Sequence, residues 1–92
     1  MSAYITVELT VRDVEAKNRY SAAAGPILKS FGGEFLVGGP IITLFGETQF
    51  ANGSIIRFPD REAALGFYNA PDYQALLEDR ALGIDCRFTL LG

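Results

Sequence analysis

Residues 3–11 and 84–90, near opposite ends of a 92-residue chain, both alternate strictly between two kinds of side chain. Ile5, Val7, Leu9 and Val11 point one way; Tyr4, Thr6, Glu8 and Thr10 point the other. At the far end Ile84, Cys86, Phe88 and Leu90 oppose Asp85, Arg87 and Thr89. A period of two marks a strand with one buried face. A chain of this length forms a single domain, residues 1–92, around one core. Both strands therefore belong to that core, and the segments between them must return the chain to it.

Those segments read in turn as helix, strand, strand and helix. Asp13 caps a helix, with Glu15 in its first turn where the dipole favours an acid. Tyr20, Ala24, Ile27, Leu28 and Phe31 follow at spacings of four, three, one and three, which place them on one face. Gly25-Pro26 lies inside and predicts a kink or a break, because proline cannot bond the carbonyl of Ala22. Residues 31–40, FGGEFLVGGP, carry a glycine pair on each side of good strand material. Gly32 or Gly33 ends the helix in the left-handed cap conformation. Gly38-Gly39-Pro40 predicts a bend in an edge strand that resumes at residues 41–44. Asn52-Gly53 reads as a turn, and residues 54–58 as a third strand stopped by Pro59. Asp60 caps a second helix carrying Ala64, Leu65, Phe67 and Tyr68. Asn69-Ala70-Pro71 breaks it, Pro71 opens a last helix with Tyr73, Leu76, Leu77 and Arg80, and Gly83 ends that.

The order βαββαβ is the split βαβ, or ferredoxin-like, plan: an α+β domain with a four-stranded antiparallel sheet and its helices on one face. Ile5, Val7, Leu9, Ile56, Phe58, Cys86 and Phe88 should face the helices. Thr6, Glu8, Ile55, Arg57, Asp85 and Arg87 should face away. Three uses of that open face compete. RNA-binding modules of this plan stack bases on central-strand aromatics with basic support, but here those strands offer Tyr4 and little else. The chain also carries a net charge of −3 and no basic cluster, which argues against nucleic acid. A solvated face would be held by cross-strand ion pairs such as Glu8 with Arg57. A homodimer stacking two open faces would bury the apolar surface left over in a chain that is 49% hydrophobic, provided every charge there is paired.

Other classes drop out on residue types. The chain has no histidine, which removes His bases, His-containing triads and His-ligated zinc or haem. No carboxylate cluster has a metal spacing, so no metal and no cofactor is expected. Gly38-Gly39 is not a phosphate loop, because no G-K-[ST] follows it. Cys86 falls in the core register and reads as a small buried hydrophobe; one cysteine fits a reducing cytoplasm. No apolar run reaches membrane-spanning length, and MSAYITVELT lacks the basic and apolar regions of a signal peptide.

The D-x6-Y run from Asp13 to Tyr20, the FGGEFLVGG segment and above all FPDREAALGFYNAPDYQ, residues 58–74, followed by Arg80, resemble the family catalogued as domain of unknown function 1330, within the dimeric α+β barrel superfamily. The resemblance spans nearly the whole chain. It implies a ferredoxin-like protomer that dimerises through its sheet, and a pocket between sheet and helices. Tyr20, Tyr68, Asn69, Tyr73 and Arg80 are the candidates to line that pocket. The spacing of Tyr73, Leu76, Leu77 and Arg80 supports part of this set, since all four project near one face. An arginine on such a face needs a partner, which Asp72, Asp79, a backbone carbonyl or water would otherwise supply. Phenols, one amide and one cation suit a small planar or anionic organic molecule; the superfamily suggests cofactor-free oxygenation or isomerisation of an aromatic compound. The alternative is a non-catalytic dimeric module whose pocket is filled by Phe31, Phe35 or Phe45. Family members often read F-L-V-R-G-G followed by L-E-G. This chain lacks that arginine and carries Phe45 where the acid is usual, so an anion held by the arginine in relatives would need another group here.

Overall fold

A computed structural model describes all of residues 1–92. The elements run β1 (Ala3–Val11), α1 (Val14–Ser30), β2 (Glu34–Pro40), β3 (Asn52–Phe58), α2 (Arg61–Asn69), α3 (Pro71–Gln74), α4 (Leu77–Gly83) and β4 (Ile84–Leu91). The four strands form one antiparallel sheet in the order β2-β3-β1-β4. This is the ferredoxin-like arrangement, with β2 at one edge as its glycines and proline require.

Register places the expected residues on each face. Ile5 pairs with Ile56 and Leu90, and Val7 with Ser54 and Phe88. Ile5, Val7, Ile56 and Phe58 are buried and join Tyr20, Ala24, Ala64, Phe67, Tyr73 and Ile84 in one core, with Leu9, Cys86 and Phe88 packed against it. On the open face the Thr6 and Thr89 hydroxyls bond each other. Arg87 donates to Glu8 at 2.9 Å, and Arg57 to Glu34 at 2.8 Å. The expected Glu8–Arg57 pair does not form. Arg57 lies opposite Tyr4 and Glu34, whereas Glu8 lies opposite Arg87.

Several local expectations are corrected. Helix α1 runs through Pro26 without a break. Pro26 is exposed, and Gly25 before it has no Cβ for the ring to strike. The last helix is divided, at Ala75 and Leu76, into α3 and α4. Asn52-Gly53 is not a turn but the start of β3, with Gly53 opposite both Gly39 and Glu8. The irregularity in β2 falls at Leu36, between Phe35 and Val37, not at the glycine pair. No strand resumes at residues 41–44.

Residues 41–51 instead form an arm that doubles back over the open face. The Ile41 N–H donates to the Ala51 carbonyl at 2.9 Å, closing its base. The Ala51 N–H donates to the Thr10 hydroxyl at 3.1 Å, and the Thr48 hydroxyl to Glu8 at 3.4 Å. Phe50 is buried in the arm, while Ile42, Leu44 and Phe45 are 82%, 97% and 99% exposed. Part of the open face is thus covered by the chain itself.

Two glycines fix how α1 is held. Gly32, at φ +78°, turns the chain out of the helix, and the N–H groups of Gly32 and Gly33 satisfy the carbonyls of Lys29 and Leu28. Gly83 is not a left-handed cap. It is buried, and a Cβ on it would lie 2.5 Å from the Lys17 nitrogen and 2.9 Å from the Ala16 carbonyl carbon. Its own carbonyl accepts from Arg12 and Asp13. The backbones of α1 and α4 therefore touch. Gly83→Ala is expected to cost about 1–3 kcal/mol, since neither obstructing group is a side chain that can move aside; a lowered urea midpoint at unchanged m-value would show it.

Candidate functional site

The tight α1–α4 contact sets Tyr20, on α1, against Tyr73, on α3. Their hydroxyls share a 2.6 Å hydrogen bond, with ring centroids 6.1 Å apart in an edge arrangement. Tyr73 is fully buried, its centroid 4.6 Å from that of Phe67 and 5.3 Å from that of Tyr68. Arg80 reaches in from α4. One guanidinium nitrogen donates to the Tyr68 hydroxyl at 3.0 Å and to the Tyr73 hydroxyl at 3.1 Å. Its plane also sits on aromatic faces, the central carbon 4.9 Å from the Phe88 centroid and 5.6 Å from that of Tyr68.

Arg80 has no carboxylate partner. Asp79, one of the acids expected to hold it, pairs with Arg19 at 3.3 Å, and the other ion pairs are Arg12–Asp85, Arg57–Glu34 and Arg87–Glu8. The cation is held by phenol oxygens and ring faces instead. Burial disfavours its charge, but the hydrogen bonds to Tyr68 and Tyr73 outweigh that and leave its pKa raised. Burial also raises Tyr20, reinforced by the neighbouring Tyr73 hydroxyl. Tyr73 is raised by burial too, although bonds to Tyr20 and Arg80 pull the other way. Both phenols therefore stay protonated to higher pH than an exposed tyrosine.

Four of the five candidate residues, Tyr20, Tyr68, Tyr73 and Arg80, form this one connected group. Asn69 stands apart, exposed at the end of α2. The main cavity lies beside the group. It is a groove of about 850 Å³ between α1 and the strands β1, β2 and β3, floored by Val7, Ile56, Phe67 and Phe88 and lined on the helix by Tyr20 and Ser21. Lys17 and Lys29 stand at its rim. Tyr20 alone of the candidates reaches it; Arg80, Tyr73 and Tyr68 are behind it. Phe35 borders the groove but is 61% exposed, and Phe31 and Phe45 are not among its lining residues, so no phenylalanine fills it. Sequence reasoning missed the groove's small residues, Ser21, Gly25, Gly38 and Gly39. Gly38 was the available signal: opposite Ser54 on the helix side of the sheet, it adds no side chain to the groove. Cys86 is half-buried, and burial pushes its thiol up, away from nucleophilic character. No three His, Cys, Asp or Glu side chains converge as metal ligands, and no helix is long and apolar enough to cross a membrane.

A family model described as Domain of unknown function (DUF1330) matches residues 2–92. The chain belongs to the DUF1330 family. No curated protein matches it in sequence. Its fold recurs in solved structures. RPA0582 from Rhodopseudomonas palustris, a protein of unknown function, superposes with a TM-score of 0.80 at 19% identity, covering 98% of this chain and 80% of that one. SnoaB from Streptomyces nogalater, a cofactor-independent oxygenase, gives 0.70 at 11% identity, covering 99% and 91%. A dimeric ferredoxin-like protein of unknown function from Jannaschia sp. CCS1 gives 0.65 at 18% identity, covering 100% and 99%. At these identities the likeness is one of fold, and it places this DUF1330 protein among ferredoxin-like domains, several of them dimeric.

The buried phenols make stability pH-dependent in a definite direction. Above the ordinary tyrosine value of 10.0, the unfolded chain releases protons from Tyr20 and Tyr73 that the folded chain keeps. The unfolded state then binds fewer protons, so stability is full below that value and falls as pH rises beyond it, by about 1.4 kcal/mol per pH unit for each phenol that stays protonated. Urea unfolding between pH 9 and 11 should show this loss, and Tyr20→Phe should make it shallower.

Proposed function

We propose that this protein is a homodimeric binding protein for a small planar organic molecule, which it takes into the groove between α1 and the sheet. The observation that carries this reading is the groove itself: apolar walls, two lysines at its rim and a single phenol reaching its interior. Pockets for small organic molecules have this character and this size. The only acid at the edge, Glu34, is engaged by Arg57 at 2.8 Å, so the local field favours a ligand with negative charge or an electron-rich oxygen. SnoaB, a cofactor-independent oxygenase of similar fold, supports the idea that such a domain can do chemistry without a cofactor. Tyr20, with Tyr73 and Arg80 behind it, is where a proton or a developing negative charge would be handled.

The planar aromatic anion 1-anilinonaphthalene-8-sulfonate is a direct probe. It should bind the native protein with saturable fluorescence enhancement. Ser21→Trp, which fills the groove from an exposed position on α1, should weaken binding at least tenfold without lowering the unfolding midpoint. Equal binding by both proteins would move the site elsewhere.

The homodimer reading rests on the open face. Val37 and Ile55 face each other there, partly exposed, and the neighbouring arm leaves Ile42, Leu44 and Phe45 exposed. Stacking a second copy covers these side chains while leaving the groove, on the opposite face, open. The charges there are already paired within the protomer, so stacking would bury no uncompensated charge. Ile55→Arg places an unpaired charge at that interface. Native mass spectrometry is expected to show a dimer of 10.0 kDa chains for the unmodified protein and a folded monomer for Ile55→Arg. A monomeric unmodified protein at micromolar concentration would overturn this arrangement.

A further inference from the structure

The hydrogen-bond chain behind the groove has a fixed polarity, and it determines what Tyr20 offers a ligand. A guanidinium has donors only, so in the 3.1 Å contact Arg80 donates and the Tyr73 oxygen accepts. Tyr73 is 0% exposed, so its own hydroxyl hydrogen must find an acceptor inside the protein. Tyr20, at 2.6 Å, is the only one it contacts. The opposite polarity, Tyr20 donating to Tyr73, would leave the Tyr73 hydrogen buried with Arg80 and Tyr20 both pointing donors at its oxygen, an arrangement that carries the full desolvation penalty of an unmet donor. The order is therefore Arg80 to Tyr73 to Tyr20. Tyr20 has no other protein partner, and it lines the groove.

We infer that Tyr20 is a hydrogen-bond donor to the bound molecule, and that this molecule carries an acceptor oxygen of the carbonyl, carboxylate or phenolate kind on the α1 side of the groove. The inference rests on the groove being the binding site, and it narrows the ligand class from planar organic molecules to oxygenated ones. Burial, which keeps Tyr20 and Tyr73 protonated, keeps that donor in place. Arg80 acts as a positioning residue, setting the direction of the chain from outside the groove.

Fluorene and 9-fluorenone test this directly, since they share one planar tricycle and differ in the carbonyl. Changing Tyr20→Phe should weaken 9-fluorenone by about three- to tenfold relative to fluorene, the size of one hydrogen bond. In the unmodified protein the fluorenone carbonyl stretch should lie below its frequency in hexane, and in Tyr20→Phe it should return toward it. An unshifted carbonyl stretch in the unmodified protein overturns the donor role even if Tyr20→Phe does not fold. If both compounds bind but the carbonyl stretch is unshifted, the donor role of Tyr20 is wrong while the groove stands. If neither binds, the groove reading fails and this inference with it.

Discussion

Strand β1 is hydrogen-bonded along both edges, to β3 and to β4, and its parity fixes everything built on either face. Ala3, Ile5 and Val7 look into the core while Thr6 and Glu8 meet Thr89 and Arg87 on the other side. A slip of one residue would exchange these sets, burying the Glu8 carboxylate and exposing Ile5 and Val7. It would also remove Val7 and Leu9 from the groove and detach the arm, whose anchors are Glu8 and Thr10. The two faces can therefore serve different purposes only because this central register is held from both sides.

The second constraint is the approach of α1 to α4 at Gly83. It brings the end of α1 nearest Asp13 against the start of β4, and so fixes how deeply Tyr20 sits over Tyr73. The division of the last helix matters here. Tyr73 on the short α3 and Arg80 on α4 are seven residues apart, and the turn at Ala75 and Leu76 lets the guanidinium fold back onto Tyr68, Tyr73 and Phe88 rather than continue outward toward acids. An aromatic shelf and two phenol oxygens replace the carboxylate such a cation usually finds.

Much of this was legible in the sequence. Alternation at residues 3–11 and 84–90 revealed both faces of the sheet, because a strand half-buried against helices leaves no other pattern. The spacing of Tyr73 and Arg80 was legible for a similar reason, since positions seven apart on near-helical backbone share a face. What escaped depended on tertiary pairing. Asn52-Gly53 has turn chemistry, but Gly53 is held extended between Gly39 and Glu8. Ile41-Ile42-Thr43-Leu44 has strand chemistry, but no partner edge lies alongside it; it becomes an arm. Glu8 chose Arg87 over Arg57 because β4, not β3, sets an arginine directly across from it. Asn69 was grouped with its neighbours in sequence, yet the helix carries it to the outside while Tyr68 turns inward.

The distribution of charge makes the same point about function. A chain with net charge −3 would ordinarily repel an anion, but the one acid that borders the groove, Glu34, is paired with Arg57. Glu8, Glu34, Asp79 and Asp85 are each committed to an arginine on the open face or outer surface. Lys17, Lys29 and Arg80, none of them in an ion pair, gather around the cavity and behind it. Val37, just before the glycine pair, faces the open side beside Ile55. The cations that remain approach from α1 and α4, across the groove from that strand. A low-dielectric floor strengthens their field locally, so an acidic protein keeps a groove suited to an electron-rich oxygen.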